Sequence, residues 1–342
     1  LIASTDSPRT DFSPGRGLLD VGIALLAFVL VCAGLNALLP FPEIDVVSAE
    51  LRFFQEHRDE FDTVFIGSSR IHHQVSPAIF DRVTREAGHP TRTFNFGING
   101  MFPPESGYVL ERLLSAKPRH LKWVFIELDE LETRRIPKAE ASRRSLYWHD
   151  WKRTSLVLRK ILDSGDQGDA RDLFLFHSAL FAKNFANIGR KIDLTWWSSH
   201  LGKKSALPKN LGHDGDGYVP QMRRMSEAEA VAYEAGLERA IAQAGFSRLS
   251  PSTEQAYRQW AGEVRKIGAT PIFLVTPTTV QTKLESGIAG TVMLFNDAKS
   301  YPQLYRNEIR VDADHLNETG AEEFTRLIAD NLSRLINEGQ IR

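Results

Sequence analysis

A single cysteine, Cys32, stands in 342 residues, so no intrachain disulfide can form. That absence leaves the compartment open, since an oxidising space does not require disulfides. Neither sign of charge is in excess: 42 Lys+Arg face 43 Asp+Glu, for a formal net charge of −1. Nucleic acid is therefore not expected as a partner, because phosphate binding needs clustered positive charge. The chain has no internal repeat and no low-complexity tract. What it has is an ordinary globular mixture, 42% hydrophobic, 10% aromatic and 25% charged. That mixture excludes intrinsic disorder, a collagen-like repeat and a disulfide-stapled mini-fold. At roughly 100–200 residues per domain, the length allows about two domains, or one large domain with insertions.

Long apolar runs are scarce, with one exception. From Leu18 to Leu39 the chain reads LLDVGIALLAFVLVCAGLNALL. About 22 such residues are enough to cross a hydrocarbon core of roughly 30 Å. Asp20 and Asn36 lie near its two ends, and Pro40-Phe-Pro42 stops the helix. A buried core helix or a cleaved signal peptide would be the alternatives. The run is long and uniformly apolar for the first and lacks a small-x-small cleavage site for the second. Val31 before Cys32 is too bulky for a lipid-attachment site. The expectation is a short tail over 1–17, an uncleaved single-pass membrane anchor over 18–39, and a soluble region from 43 to 342. Arg9 and Arg16 precede the span and no Lys or Arg follows until Arg52. This bias favours the N-terminus inside and the soluble region on the external, periplasmic side.

Beyond an amphipathic segment from Glu43 to Phe61, five short β-rich runs are expected as strands. They are Thr63–Gly67, Thr91–Phe96, Trp123–Glu127, Pro271–Thr276 and Glu308–Val311. Continuous apolar runs fit strands buried on both faces. Helical patterns lie between and after them at Pro77–Ala87, Pro104–Ala116, Ser252–Ile267 and Glu318–Leu335. The alternation predicts an α/β fold with a central parallel sheet of about five strands. In such sheets ligands bind beyond the carboxyl ends of the strands. The stretch from about 136 to 245 breaks the rhythm and reads as a helical insertion. It carries Trp148, Trp151, Trp196 and Trp197, which suit sugar stacking or, alternatively, core and membrane-facing positions. It also carries Gly212-His-Asp-Gly-Asp-Gly-Tyr218, where Arg223 replaces the Glu that a calcium loop requires.

Three short motifs carry chemistry. The first expected strand ends in Gly67-Ser68-Ser69-Arg70, which places a serine where an α/β sheet presents its ligands; a plain helix cap is the alternative. Asp312 precedes His315 by three residues, a spacing that lets the carboxylate accept Nδ1–H and leaves Nε2 as a base. Helix capping by Asn317 or Thr319 beside a solvated His315 competes with that reading. Asn95-Phe-Gly97-Ile-Asn99-Gly100 follows the second strand, where backbone N–H groups and an Asn amide can stabilise an oxyanion, or simply form a turn. All three are expected at the carboxyl ends of strands one, two and five. Arg70 and His73 are candidate substrate-binding residues. The adjacent His72 and His73 cannot point the same way on a strand, so no shared metal is expected.

Taken together these motifs resemble those of the SGNH (GDSL-type) hydrolase superfamily. The resemblance runs in its elements from about 63 to 335. It implies a three-layer, flavodoxin-like sandwich, with Ser69 as nucleophile and Asp312 and His315 completing a triad. It also implies Gly97 as an oxyanion donor, with Asn99, or else Asn95, standing in for the Asn of the family's third block. That block is altered here: strand three ends Glu127-Leu-Asp129-Glu130, and an ionised Asp129 accepts rather than donates. One lost donor costs roughly 2.7–4 kcal/mol of transition-state stabilisation. The His-Leu-Asn-x-x-Gly-Ala sequence from His315 is similar to a membrane-associated branch that includes the alginate O-acetylation and teichoic-acid D-alanylation proteins. That likeness implies acetyl transfer to a cell-surface polysaccharide without a cofactor, beside a membrane-bound O-acyltransferase. A deacetylase or esterase of the same fold is one alternative, and a non-catalytic assembly or polysaccharide-binding partner is the other.

Overall fold

Five-residue runs of β-branched and aromatic side chains form the centre of the protein. A computed structural model describes residues 14–38, 42, 44–135, 143–163, 167–188, 209–281, 283–285, 287–288 and 290–341. Strands β1 (Thr63–Gly67), β2 (Thr93–Gly97) and β3 (Trp123–Glu127) are buried at every position. A short β4 (Phe246–Arg248) pairs outside the main sheet with β6 (Lys283–Glu285). β5 (Thr270–Val275) and β7 (Thr291–Leu294) complete the central sheet. Its order is β2-β1-β3-β5-β7, and every pairing is parallel.

Alternation along each strand sorts the core into two clusters, as the period-2 geometry of a strand requires. Val64, Ile66, Phe94, Phe96, Val124, Ile126 and Phe273 face one cluster. It is closed by helices α2 (Asp45–His57), α5 (Glu105–Ser115) and α10 (Pro251–Lys266). Phe65, Trp123, Phe125, Ile272 and Leu274 face the other. There α4 (Pro77–Glu86) and α11 (Glu318–Asn337) cover the sheet. A four-residue helix α3 (Ser69–His72) leads directly out of β1.

Among the described residues the insertion contributes α6 (Arg143–Tyr147), α7 (Trp151–Asp163), α8 (Gln167–Phe185) and α9 (Glu227–Ala242). Trp196 and Trp197 lie outside the described residues. At the N-terminus α1 (Pro14–Leu38) contains a 22-residue stretch, Gly17–Leu38, of mean hydropathy 2.6. It is long and apolar enough to cross a bilayer, and nearly all of its apolar side chains are exposed. The amide of Asn36, near its last turn, donates to the carbonyls of Cys32 and of Phe185 at the end of α8.

The strand expected at Glu308–Val311 does not form. Asn307–Ile309 is a 3-10 turn, and Arg310 makes only an isolated antiparallel bridge to Leu316. The reason is Arg310 itself, whose buried guanidinium turns inward to donate to the carbonyls of Pro277, Leu304, Asp312 and Ala313. The fifth strand of the sheet is instead Thr291–Leu294.

Candidate active site

Ser68 and Ser69 divide two tasks at the end of β1. Ser68 is the N-cap of α3, its Oγ accepting the Arg70 N–H at 3.2 Å. Ser69, one residue later, is free of capping and its Oγ donates to His315 Nε2 at 2.8 Å. His315 Nδ1–H in turn faces both carboxylate oxygens of Asp312, at 2.9 and 3.0 Å. That contact fixes the tautomer: Nδ1 carries the proton and Nε2 accepts from Ser69. Partial burial pushes the Asp312 carboxyl up, but bonds from the His315 ring and from the N–H groups of Asp314 and His315 outweigh it. They hold the group down at about 2, so it stays ionised.

The loop that carries Asp312 and His315 is fixed from inside by Arg310, which also lies over the rings of Tyr233 and Tyr305. Gln74 reaches across from the serine side and donates to the Asp314 carbonyl at 3.1 Å. Asn317 caps α11 through the Gly320 N–H, as a helix start there requires. Capping and the triad thus coexist, using different residues of one motif.

Several expected roles are corrected. Asn95 is fully buried, and its amide donates to the carbonyls of Ile71 and Val75 at 2.8 and 2.7 Å. Its Oδ1 accepts the Gly97 N–H at 2.9 Å, which takes that donor away from any oxyanion. An Asn amide oxygen readily captures the N–H two residues on, which is why the Asn-x-Gly pattern forms this closure. Gly97 is needed for space instead: a Cβ there would stand 2.2 Å from the His72 nitrogen. Among the described residues the Ser69, Asn99 and Gly100 N–H groups remain without a hydrogen-bond partner. The Ile98 N–H bonds the Gly67 carbonyl at 2.9 Å, which holds the Asn99–Gly100 turn beside the end of β1.

Arg70 is already paired with two carboxylates. Its Nε pairs with Glu127 at 2.7 Å and its outer nitrogen with Asp129 at 2.6 Å. Burial opposes its charge, but these two carboxylates outweigh burial and raise its pKa. Asp129 thus serves as a counter-charge to Arg70. His73 lies near His315 and the Asn99 side chain. Its Nδ1–H donates to the Val219 carbonyl at 2.6 Å. Burial, with the nearby His315 adding to it, lowers its pKa, while the Asn99 side chain beside it works the other way.

Three contributors went unread in the sequence. Glu127, at the end of β3, accepts the Ser68 N–H at 2.6 Å and leaves no room for a side chain at Gly67. A charged residue closing a buried apolar strand was the available signal. Arg310 is the second. The third is the Gly-rich loop, which docks on the edge strand β2: Asp216 accepts the Asn95 N–H at 2.8 Å, and the Gly217 Cα packs against the Asn95 carbonyl. It continues past His72 and His73 to the acid–base loop, where Arg223 bonds the Val311 carbonyl. Among the described residues no group of three or more His, Cys, Asp or Glu is arranged to hold a metal. The arrangement can activate a serine hydroxyl and stabilise an imidazolium, the two requirements of nucleophilic acyl transfer. No family model matches the sequence, and no curated protein matches it.

Proposed function

We propose that the chain is a membrane-anchored, externally facing serine O-acyltransferase with an SGNH-like three-layer fold. The observation that carries this reading is the unbroken hydrogen-bonded line from Ser69 through His315 to Asp312. Ser69 Oγ attacks an ester carbonyl as His315 Nε2 takes its proton. Asp312 holds the ring and stabilises the imidazolium. N–H groups of Ser69 and of the Asn99–Gly100 turn face the oxyanion, in place of Gly97. The leaving alcohol takes the proton back from His315, and the acyl-Ser69 passes to a hydroxyl of a cell-surface polysaccharide. Acetyl is the proposed acyl group, and a membrane-bound O-acyltransferase is the proposed source of the donor.

The test is incubation of the full chain with an activated acetyl ester, with and without sugar oligomers, followed by peptide mass spectrometry. Acetyl-Ser69 that disappears in His315→Ala and is discharged onto sugar supports the reading. No adduct, with sugar binding unchanged in Ser69→Ala, replaces it with a non-catalytic binding partner. Hydrolysis is the second reading, favoured by one observation: the Asp312 side chain is 49% exposed, so water reaches the triad's rim. Discharge to free acetate at the same rate with and without sugar selects it.

A further inference from the structure

A cavity of about 320 Å³ opens between the Gly100–Glu105 segment and the insertion helices α6 and α8. We propose that it binds one aliphatic acyl chain. Its apolar wall is built from Phe102, Pro103, Pro104, Trp148, Phe176 and Leu180. The volume sits at the low end for small-ligand sites, which suits a single chain and not a whole lipid.

Most polar side chains in the wall are paired with one another or with backbone carbonyls, which disfavours an anion and offers a sugar few partners. Glu105 accepts from Arg144 at 2.8 Å and from the Tyr147 hydroxyl at 2.6 Å. Arg134 is bidentate on Glu132, Nε to one carboxylate oxygen and an outer nitrogen to the other. His177 Nε2–H donates to the Thr133 carbonyl, which leaves its Nδ1 to accept from His149 Nε2–H at 2.9 Å. Burial, with His177 beside it, pushes His149 down to about 3, so the ring is neutral. The wall thus pairs two carboxylates with two guanidiniums and carries no net charge. A sugar placed here would lose its water and gain few hydrogen bonds in return, a cost that an alkyl chain does not meet.

The position supplies the occupant. Arg144 bonds the Asn99 carbonyl at 2.6 Å, so the cavity shares a wall with the turn proposed to face the oxyanion. On its other side, α8 carries Phe176 and Leu180 in the wall and ends at Phe185, bonded to Asn36 of α1. At about 1.5 Å per residue, that places the cavity within roughly 15 Å of the end of the apolar helix. The binding claim stands on the cavity alone. Its link to Ser69 chemistry, as the site for the chain of a donor or lipid, rests on the acyltransferase reading.

The test uses the full chain in lipid nanodiscs with a medium-chain fatty acid carrying a diazirine and an alkyne. After illumination, crosslinked peptides are mapped by mass spectrometry. The proposal expects adducts on the peptides containing Trp148 and Leu180. Labelling there should fall about tenfold, or 1.4 kcal/mol, in Leu180→Trp, which fills the cavity. It should also fall with excess unlabelled decanoate but not with sugar oligomers. A second arm carries the same group within a phospholipid: adducts in both arms assign the chain to the bilayer, and adducts with the free acid alone assign it to a soluble donor. Adducts confined to α1, or unchanged by competitor, overturn the proposal. If Leu180→Trp fails to fold, the wild-type map and competition decide. Fluorophosphonate labelling of Ser69 is run alongside, so loss of the triad reading is distinguished from loss of the cavity reading.

Discussion

Asn95 makes the sharpest prediction because its side chain holds both ends of the nucleophile segment. Replacing it by Leu keeps the volume and removes three hydrogen bonds. The Ile71 carbonyl keeps the Gln74 and Val75 N–H groups, at 3.3 and 3.1 Å, so it is not orphaned. The Val75 carbonyl and the Gly97 N–H are left without partners in a fully buried setting. Each such group costs roughly 1–3 kcal/mol, so the loss is about 2–6 kcal/mol against a total of about 5–15. Asn95→Asp restores the acceptor for Gly97 but sets a carboxylate against two carbonyls. Its loss should therefore be larger at pH 7 than at pH 5, where protonation relieves it. Urea unfolding of the full chain in mild detergent measures both variants, and the rate of Ser69 labelling by a fluorophosphonate measures the site. Asn95→Leu within 0.5 kcal/mol of wild type, labelling at the wild-type rate, would refute the assignment of Asn95 as the clamp of the nucleophile helix.

Gly97→Ala forces its Cβ within 2.6 Å of two His72 backbone atoms, so α3 must shift, and a displacement near 1 Å should slow Ser69 acylation about 100-fold in stopped-flow assays. Arg310→Met orphans four carbonyls around the acid–base loop; at least about 3 kcal/mol of stability should vanish in denaturant titration, with Ser69 reactivity falling alongside. Asp216 is pushed up to about 6 chiefly by burial, so the folded state holds a proton that the unfolded chain has released by pH 6, and stability falls as pH rises from about 4 to 6. The shift is worth about 3 kcal/mol in full and about 1–2 after its partial exposure is discounted. Asp216→Asn should remove that fall, visible as a higher melting temperature above pH 6 and little change at pH 4.

The parallel sheet was legible because β1 and β3 carry continuous apolar runs, and a strand buried on both faces leaves that trace. Thr291–Leu294 left none: it is four residues long and three of them are only partly buried. Glu308–Val311 looked like a strand because alternation cannot reveal that a charged residue is drawn inward by carbonyls. The Asp312–His315 pairing was readable from spacing and Ser69 only from the family resemblance; the hydrogen-bonded line places the three within reach of one another. The open N–H groups near Ser69 were not readable, since Asn95 and Gly97 satisfy each other locally and sequence offers no view of which N–H groups stay open. Arg70 carried the same ambiguity: an arginine beside a nucleophile reads as an anion site until Glu127 and Asp129 are seen to flank it.

The most direct test of the central claim is the site and rate of fluorophosphonate modification of the full chain, compared with His315→Ala. An activated serine predicts one phosphonyl group per chain, on Ser69, forming at least about 1,000-fold faster than in the variant. Modification of another serine, or of Ser69 at a rate indifferent to His315, would contradict the account.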